Sequence, residues 1–106
     1  MSDQLELQFH EAMLDIYRCA KSEAGYTASY FLQMVTQNGG LESARRLINS
    51  DTPSEGYTRL WELGRLNISV EALVNDDPRW HGLFTRRELK RAHARLDAYG
   101  YFDPRG

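Results

Sequence analysis

Apolar residues recur along the chain at the three- and four-residue spacing that places side chains on one face of an α-helix. At the start of the chain, Asp3 and Glu6 have the spacing of a capping box, and Gly25 is a stop signal. The apolar face between them comprises Leu5, Phe9, Ala12, Met13, Ile16, Tyr17 and Ala20. The pattern predicts a long amphipathic first helix that ends at Ala24.

A second helix is predicted to begin after Thr27, because threonine commonly caps helix N-termini. Apolar residues cover more than half of its circumference, namely Tyr30, Phe31, Leu32, Met34 and Val35. A helix with so wide an apolar surface is normally buried. We therefore expect it to lie at the centre of the fold. Asn38, Gly39 and Gly40 tolerate the left-handed backbone that ends a helix.

The middle of the chain is predicted to form further short helices. One carries Leu41, Ala44, Leu47 and Ile48 on a single face. The next begins at the cap Ser54 and ends at Gly64, and its expected buried residues are Tyr57, Leu60, Trp61 and Leu63. Residues 66–70 alternate like a strand, but the run is short and no partner strand is evident. Ser69 is therefore interpreted as the cap of a fifth helix that extends through Val74.

The last helix has the clearest boundaries. Thr85 and Glu88 form a capping-box pair at its start. Gly100 stands just beyond its end, and Tyr101 is placed to fold back on the last turn, as in a Schellman motif.

These segments predict an all-α fold, a compact orthogonal bundle of five to six short helices around a central buried second helix. The chain has 106 residues, 42% of them hydrophobic and 26% charged, which suits one globular domain. We expect a single helical domain over residues 1–102 and a loose C-terminal tail over residues 103–106.

The net charge and the cysteine content indicate which partners and which cellular location to expect. The net charge of −2 provides no overall field that would attract nucleic acid or an anionic membrane. Cys19 is the only cysteine, so no intramolecular disulfide can form. The first residues lack the basic and apolar regions of a signal peptide, and no apolar run is long enough to span a membrane. We expect a cytoplasmic location and no membrane partner.

Few residues suggest catalytic chemistry. His10 and Glu11 resemble the start of a zinc-protease motif, but Leu14 occupies the position of the second histidine. Glu6 and His10 share a helix face, which is more typical of a surface pair than of a metal site. Cys19 falls on the buried flank of the first helix, where cysteine behaves as a small apolar residue. We expect no enzymatic activity, no metal and no cofactor.

The second half of the chain is the more basic half, with nine bases and seven acids in residues 58–106. On the last helix a basic stripe recurs opposite the core face and comprises Arg87, Lys90, Arg91 and Arg95. Such a stripe can contact phosphates or an acidic partner, although an ordinary solvated face has the same pattern. If the stripe is exposed, replacing its three arginines with glutamine should change stability by no more than about 1 kcal/mol.

The first helix offers another candidate surface. Leu7 and Leu14 lie seven residues apart and project from the side opposite the core face, beside Arg18. An outward leucine pair is one way in which a helix presents anchors to a partner. The alternative is that a neighbouring segment covers both leucines. Leu7, Leu14 and Arg18 are therefore candidates for protein binding.

Several segments resemble a family of small bacterial helical domains of unassigned function, found alone or attached to restriction-type and other defence-associated proteins. They are YFLQMV at 30–35, GGLESARRL at 39–47, LWELGRL at 60–66, VEALV at 70–74 and YGY at 99–101. The resemblance covers nearly the whole chain and transfers no functional residue. It implies a bacterial, intracellular accessory or adaptor module, near nucleic-acid-processing or anti-phage systems.

The leading hypothesis is a non-enzymatic protein–protein interaction module that binds its own copy or a larger complex, in a defence or counter-defence setting. The alternative is a nucleic-acid-associated protein that uses the basic stripe of the last helix. Salt dependence separates the two, because phosphate contacts weaken steeply as salt rises.

Overall fold

The computed structural model describes the backbone of residues 2–103 and the side chains of residues 4–103. Its α-helices are α1 (Ser2–Ala24), α2 (Ser29–Asn38), α3 (Gly40–Asn49), α4 (Glu55–Glu62), α5 (Val70–Asp76) and α6 (Arg86–Ala98). Two 3-10 segments, Leu66–Ile68 and Pro78–Leu83, lie on either side of α5. This part of the chain contains no strand, and the predicted all-α class is confirmed.

Three of the predicted helix caps are present. The hydroxyl of Ser54 accepts a hydrogen bond from the Tyr57 N–H (3.0 Å), and that of Ser69 accepts from the Ala72 N–H (3.2 Å). In the capping box of α6, the Thr85 hydroxyl accepts from the Glu88 N–H (3.1 Å), and the Glu88 carboxylate accepts from the Thr85 N–H (2.8 Å). These bonds satisfy N–H groups that have no partner within their helices.

The predicted cap at Thr27 is wrong. Helix α2 begins at Ser29, and its N-cap, Ala28, makes no side-chain hydrogen bond. The small side chain of Ala28 is buried whereas Thr27 is exposed, so packing sets the turn one residue later than capping chemistry suggests. Helix α1 begins at Ser2, ahead of the predicted cap Asp3, whose side chain lies outside the described residues.

The end of α6 forms the predicted Schellman motif. Gly100 has a positive φ of 79°, and its N–H donates to the Asp97 carbonyl (3.1 Å). The Tyr101 N–H donates to the Leu96 carbonyl (2.9 Å), which is the defining bond of this motif. Of the predicted tail, residues 104–106 lie outside the described residues. The Asp103 N–H donates to the Gly100 carbonyl (3.1 Å), which continues the turn.

The main core lies where α1, α3 and α5 meet the 3-10 segment Pro78–Leu83. At its centre the Phe9 ring makes edge-on contacts with Trp80 (5.3 Å between centroids) and Phe84 (5.5 Å). Edge-on aromatic pairs add to the stabilisation that burial already provides. Two smaller clusters join α4 to the rest of the molecule, one around Tyr57 and Leu96 and the other around Leu60 and Ala20.

The prediction of a central, buried second helix is wrong. Val35 is the only buried residue among the ten of α2, and Tyr30 is 78% exposed. The most enclosed helix is α5, whose buried residues are Val70, Glu71, Ala72 and Val74. The width of an apolar stripe shows how many residues prefer burial, but it does not show which of them a neighbour covers. Helix α2 lies at the edge of the bundle, and part of its apolar surface borders an open cleft.

Candidate functional site

The predicted basic stripe is mostly engaged within the molecule. The Arg95 guanidinium donates to the Glu71 carboxylate (3.0 Å) and to the Leu47 carbonyl (3.0 Å), and it also reaches the Ser50 carbonyl. Arg91 donates to the last two carbonyls of α3, those of Ile48 (3.1 Å) and Asn49 (3.2 Å), and to the carbonyl of its C-cap Ser50 (3.1 Å). These carbonyls have no partners within their own helix. Arg91 and Arg95 therefore cap the C-terminal end of α3.

The expectation that Arg91 and Arg95 face solvent is consequently wrong. Four-residue spacing places arginines on one face of α6, but that face at Arg91 and Arg95 packs against the end of α3. Arg87 and Lys90 are exposed, so the outward part of the stripe is limited to the first turns of α6.

Glu88 also takes part in the contact between α6 and α3. Besides closing the capping box, its carboxylate accepts hydrogen bonds from Arg45 (3.2 Å) and Asn49 (2.8 Å). Burial by itself raises the pKa of Glu88, but these donors and the Thr85 N–H together hold it below its ordinary value. The side of α6 that faces α3 is therefore a polar network that holds two helices together.

The candidate residues on α1 differ in how far they are exposed. Leu7 is 68% exposed, whereas Leu14 is half-buried and packs against the main core. Arg18 is exposed and pairs with Asp15 on the same helix. The two leucines share a direction on the helix, but a neighbour covers only one of them. Leu7 remains an isolated exposed leucine, which is common on protein surfaces.

An apolar cleft of about 350 Å³ opens between α1, α2, α4 and the start of α5. We call it the α2 cleft. Its aromatic walls are Tyr26, Tyr30, Phe31 and Tyr57, and its aliphatic and thioether walls include Ile16, Met34, Leu47 and Leu60. Ligand sites in proteins are typically concave and mainly apolar, with volumes of roughly 300–1,000 Å³. The α2 cleft has these properties.

Hydrogen bonds fix the wall that α4 contributes. The Ser54 cap orients the first turn of α4, and the Tyr57 hydroxyl donates to the Arg95 carbonyl (3.1 Å) on α6. Burial raises the pKa of Tyr57, so the phenol stays protonated and continues to donate this bond. The ring of Tyr57 also contacts Tyr99 edge-on (5.2 Å between centroids). This wall is thereby held against the body of the molecule.

A buried acid lies at the inner side of the cleft. Glu71 is 3% exposed and accepts a hydrogen bond from Arg95 (3.0 Å). Burial raises the pKa of Glu71, while the hydrogen bond and charge of Arg95 oppose that rise. The other carboxylate of the lining belongs to Glu55, which is exposed at the rim in the first turn of α4. No lysine, arginine or histidine lines the cleft within the described part of the chain.

A second, more polar groove continues along α2. It measures about 330 Å³ and shares Tyr30 and Met34 with the α2 cleft. Its other lining residues are Gln33, Gln37, Asn38 and Arg46. Arg46 is paired with Glu42 (2.9 Å), so the side-chain amides supply most of its available hydrogen-bonding groups. Tyr30, Gln33, Met34 and Gln37 have the spacing of one helix face.

The three histidines and the cysteine of the chain have structural surroundings. His10 Nδ1 accepts a hydrogen bond from the Gly40 N–H (2.9 Å), and His81 Nε2 donates to the Val74 carbonyl (3.0 Å). His93 lies stacked on Phe102 (4.6 Å between centroids). Burial, followed by the negative charge of nearby Glu23, raises the pKa of the Cys19 thiol. Among the described residues, no three His, Cys, Asp or Glu side chains cluster where they could hold a metal ion.

Comparisons with family models, curated proteins and solved structures found no match for this chain. Within residues 2–103, no helix is both long enough and apolar enough to cross a membrane.

Sequence reasoning missed the α2 cleft because it assigned all the apolar residues of α2 to the core. Tyr30 and Met34 carry no local signal that distinguishes a cleft wall from a buried face. Glu71 did offer a signal, since it is the only charged residue between Asn67 and Val74. An acid in such a run either faces solvent or has a buried partner. Only the tertiary structure identifies that partner as Arg95.

Proposed function

We propose that this chain is a non-enzymatic protein–protein interaction module that binds a segment of another protein in the α2 cleft. The observation that carries the proposal is Tyr30, which is 78% exposed at the edge of an apolar cleft of about 350 Å³. Tyrosine is among the residues that most often dominate binding energy at protein interfaces, where its ring packs and its hydroxyl remains hydrated.

The shape of the α2 surface supports a segment as the occupant. The apolar cleft accommodates anchoring side chains, and the polar groove beside it offers the amides of Gln33 and Gln37 to the backbone of the bound segment. In one common mode of peptide recognition, hydrogen bonds to the peptide backbone provide affinity and pockets for its side chains provide specificity. The bacterial, intracellular and defence-associated setting that the sequence resemblance implies is part of this proposal.

The nucleic-acid alternative has lost much of its support. It required Arg87, Lys90, Arg91 and Arg95 to act together, but Arg91 and Arg95 donate their hydrogen bonds to α3 and Glu71. The exposed cations at the start of α6, Arg86, Arg87 and Lys90, are too few for strong phosphate binding by a protein of net charge −2.

The proposal can be tested by selecting binders from a displayed library of short random peptides and measuring their affinity for two variants. Tyr30→Ser should weaken binding about tenfold or more, which is typical of an interface anchor. Leu7→Ser is the matched control, because Leu7 is also large, apolar and exposed but does not line the cleft. It should leave affinity unchanged.

Thermal unfolding of both variants should resemble that of the parent protein, because neither side chain is buried. The proposal is wrong if the library yields no binders, or if the binders tolerate Tyr30→Ser as well as they tolerate Leu7→Ser.

A further inference from the structure

The charged side chains that line the α2 cleft are all acidic. Its lining contains two carboxylic acids, Glu55 and Glu71, and no basic side chain within residues 4–103. Glu71 is already compensated by Arg95, whose side chain is itself only 10% exposed. Glu55 forms no ion pair among the described residues and lies exposed at the rim. The cleft therefore has at its entrance one negative charge that no basic side chain pairs with.

The aromatic walls of the cleft also favour a positively charged occupant. Tyr26, Tyr30, Phe31 and Tyr57 contribute four aromatic rings, and the face of an aromatic ring attracts a cation. An acidic side chain would be repelled by Glu55 and would find no donor of positive charge in the lining. A purely apolar side chain would fill the walls but leave the charge of Glu55 without a partner.

We propose that the segment bound in the α2 cleft lays an arginine or lysine side chain along the mouth of the cleft. Its apolar stem packs on the aromatic walls, and its charged end meets Glu55 at the rim. Long basic side chains combine an apolar stem with a charged tip in this way. This inference rests on the proposed function, because it specifies the chemistry of the segment that the cleft binds.

The first test is the composition of the peptides selected from the random library. We expect the selected peptides to share an arginine or lysine flanked by apolar residues. Replacing that residue with its uncharged counterpart, citrulline for arginine or norleucine for lysine, should lower affinity about fivefold, the upper end of the range for one ion pair at a surface. Affinity for the basic peptide should also fall as the NaCl concentration rises.

The second test links the basic residue to Glu55. Glu55→Gln should weaken the basic peptide by the same factor of about five and should not weaken the uncharged peptide further, since a double-mutant cycle isolates the pairwise interaction. Glu62→Gln is the matched control, because Glu62 is an exposed acid on the same helix that pairs with Arg59 (3.5 Å) and does not line the cleft. It should change affinity less than about twofold.

The outcomes separate the two proposals. If peptides bind in a Tyr30-dependent manner but neither require a basic residue nor respond to Glu55→Gln, the inference of a basic occupant is wrong and the interaction function stands. If binding does not depend on Tyr30, the proposed function itself is wrong. Circular dichroism of Glu55→Gln should match that of the parent protein, because Glu55 is exposed.

Discussion

Arg95 on α6 makes hydrogen bonds to three other helices, α3, α4 and α5. Its guanidinium reaches Glu71 on α5 and the carbonyls of Leu47 and Ser50 at the end of α3. Its backbone carbonyl accepts the hydrogen bond from Tyr57 on α4. Since Glu71 and Tyr57 both line the α2 cleft, Arg95 helps to anchor two of its walls to the bundle.

Replacing Arg95 with glutamine should therefore destabilise the protein by about 3–5 kcal/mol, because it leaves Glu71 buried without its partner. Chemical denaturation gives this value directly. Arg87→Gln is the control, since Arg87 is exposed on the same helix, and its effect should stay within about 0.5 kcal/mol. Removing both charges with Glu71→Leu and Arg95→Met should recover part of the loss. A loss below about 1 kcal/mol for Arg95→Gln would restore the earlier expectation of a solvated stripe.

The residue-level features that sequence predicted correctly are those set by near neighbours in the chain. The Thr85–Glu88 capping box and the Gly100 turn depend on residues only a few positions apart, and both are present. Burial depends on distant residues and was predicted less well. Trp61 was assigned to the core but is 46% exposed, whereas Trp80, which was not among the predicted core residues, is 1% exposed. The element that covers Trp80 includes Phe9, which lies far away in the chain.

At the scale of secondary-structure elements, α1 and α3 approach each other unusually closely. A side chain on Gly40 would place its Cβ 2.7 Å from the His10 Cα and 3.2 Å from the Met13 Cγ. The Gly40 N–H also donates a hydrogen bond to His10 Nδ1 (2.9 Å). Glycine here serves the packing of two helices, in addition to the chain reversal at Gly39, where φ is 86°.

Gly40→Ala should thus destabilise the protein by about 1–3 kcal/mol, the usual cost of inserting a methyl group into a tightly packed contact. The loss is expected even though alanine has the higher helix propensity. Gly82→Ala is the matched control, because a Cβ at Gly82 would meet nothing within 4 Å and its φ is not positive. Thermal unfolding of the two variants should differ clearly, and equal melting temperatures would show that α1 and α3 can separate at little cost.

The element boundaries followed from sequence better than the arrangement of the elements. The breaks at Gly25, Asn38–Gly40 and Gly64 lie where the structure ends its helices. Helix α2 was predicted to be the central buried helix, but α5 is the more enclosed of the two. Its burial depends on compensation of Glu71 by Arg95, a contact across 24 positions of the chain. No periodic pattern within either helix contains that information.

At the scale of the whole molecule, the packing is uneven. Helices α1, α3 and α5 share the main core, whereas α4 inserts only Tyr57 and Leu60 into two smaller clusters. The main neighbour of α4 is the short 3-10 segment Leu66–Ile68, and the α2 cleft leaves one flank of α4 uncovered. Segments with few buried contacts open at lower free energies than the core of the same protein. The wall of the candidate binding cleft that α4 provides is therefore less firmly packed than the main core.

Native-state hydrogen exchange should reveal this difference. We expect amides in the middle of α4 to exchange through an opening that requires at least about 1 kcal/mol less than the opening of α1 around Phe9 and Met13. Tyr57→Phe removes the hydroxyl that donates to the Arg95 carbonyl, so it should lower the opening free energy of α4 by a further 0.5–1.5 kcal/mol, approximately. Its effect on α1 should be smaller, because Phe9 and Met13 belong to the main core and not to the Tyr57 cluster.

A peptide that occupies the α2 cleft would contact α4 directly and should slow exchange there first. Equal opening free energies for α4 and α1, with or without Tyr57→Phe, would mean that the molecule unfolds as one unit and that the cleft wall is as stable as the core.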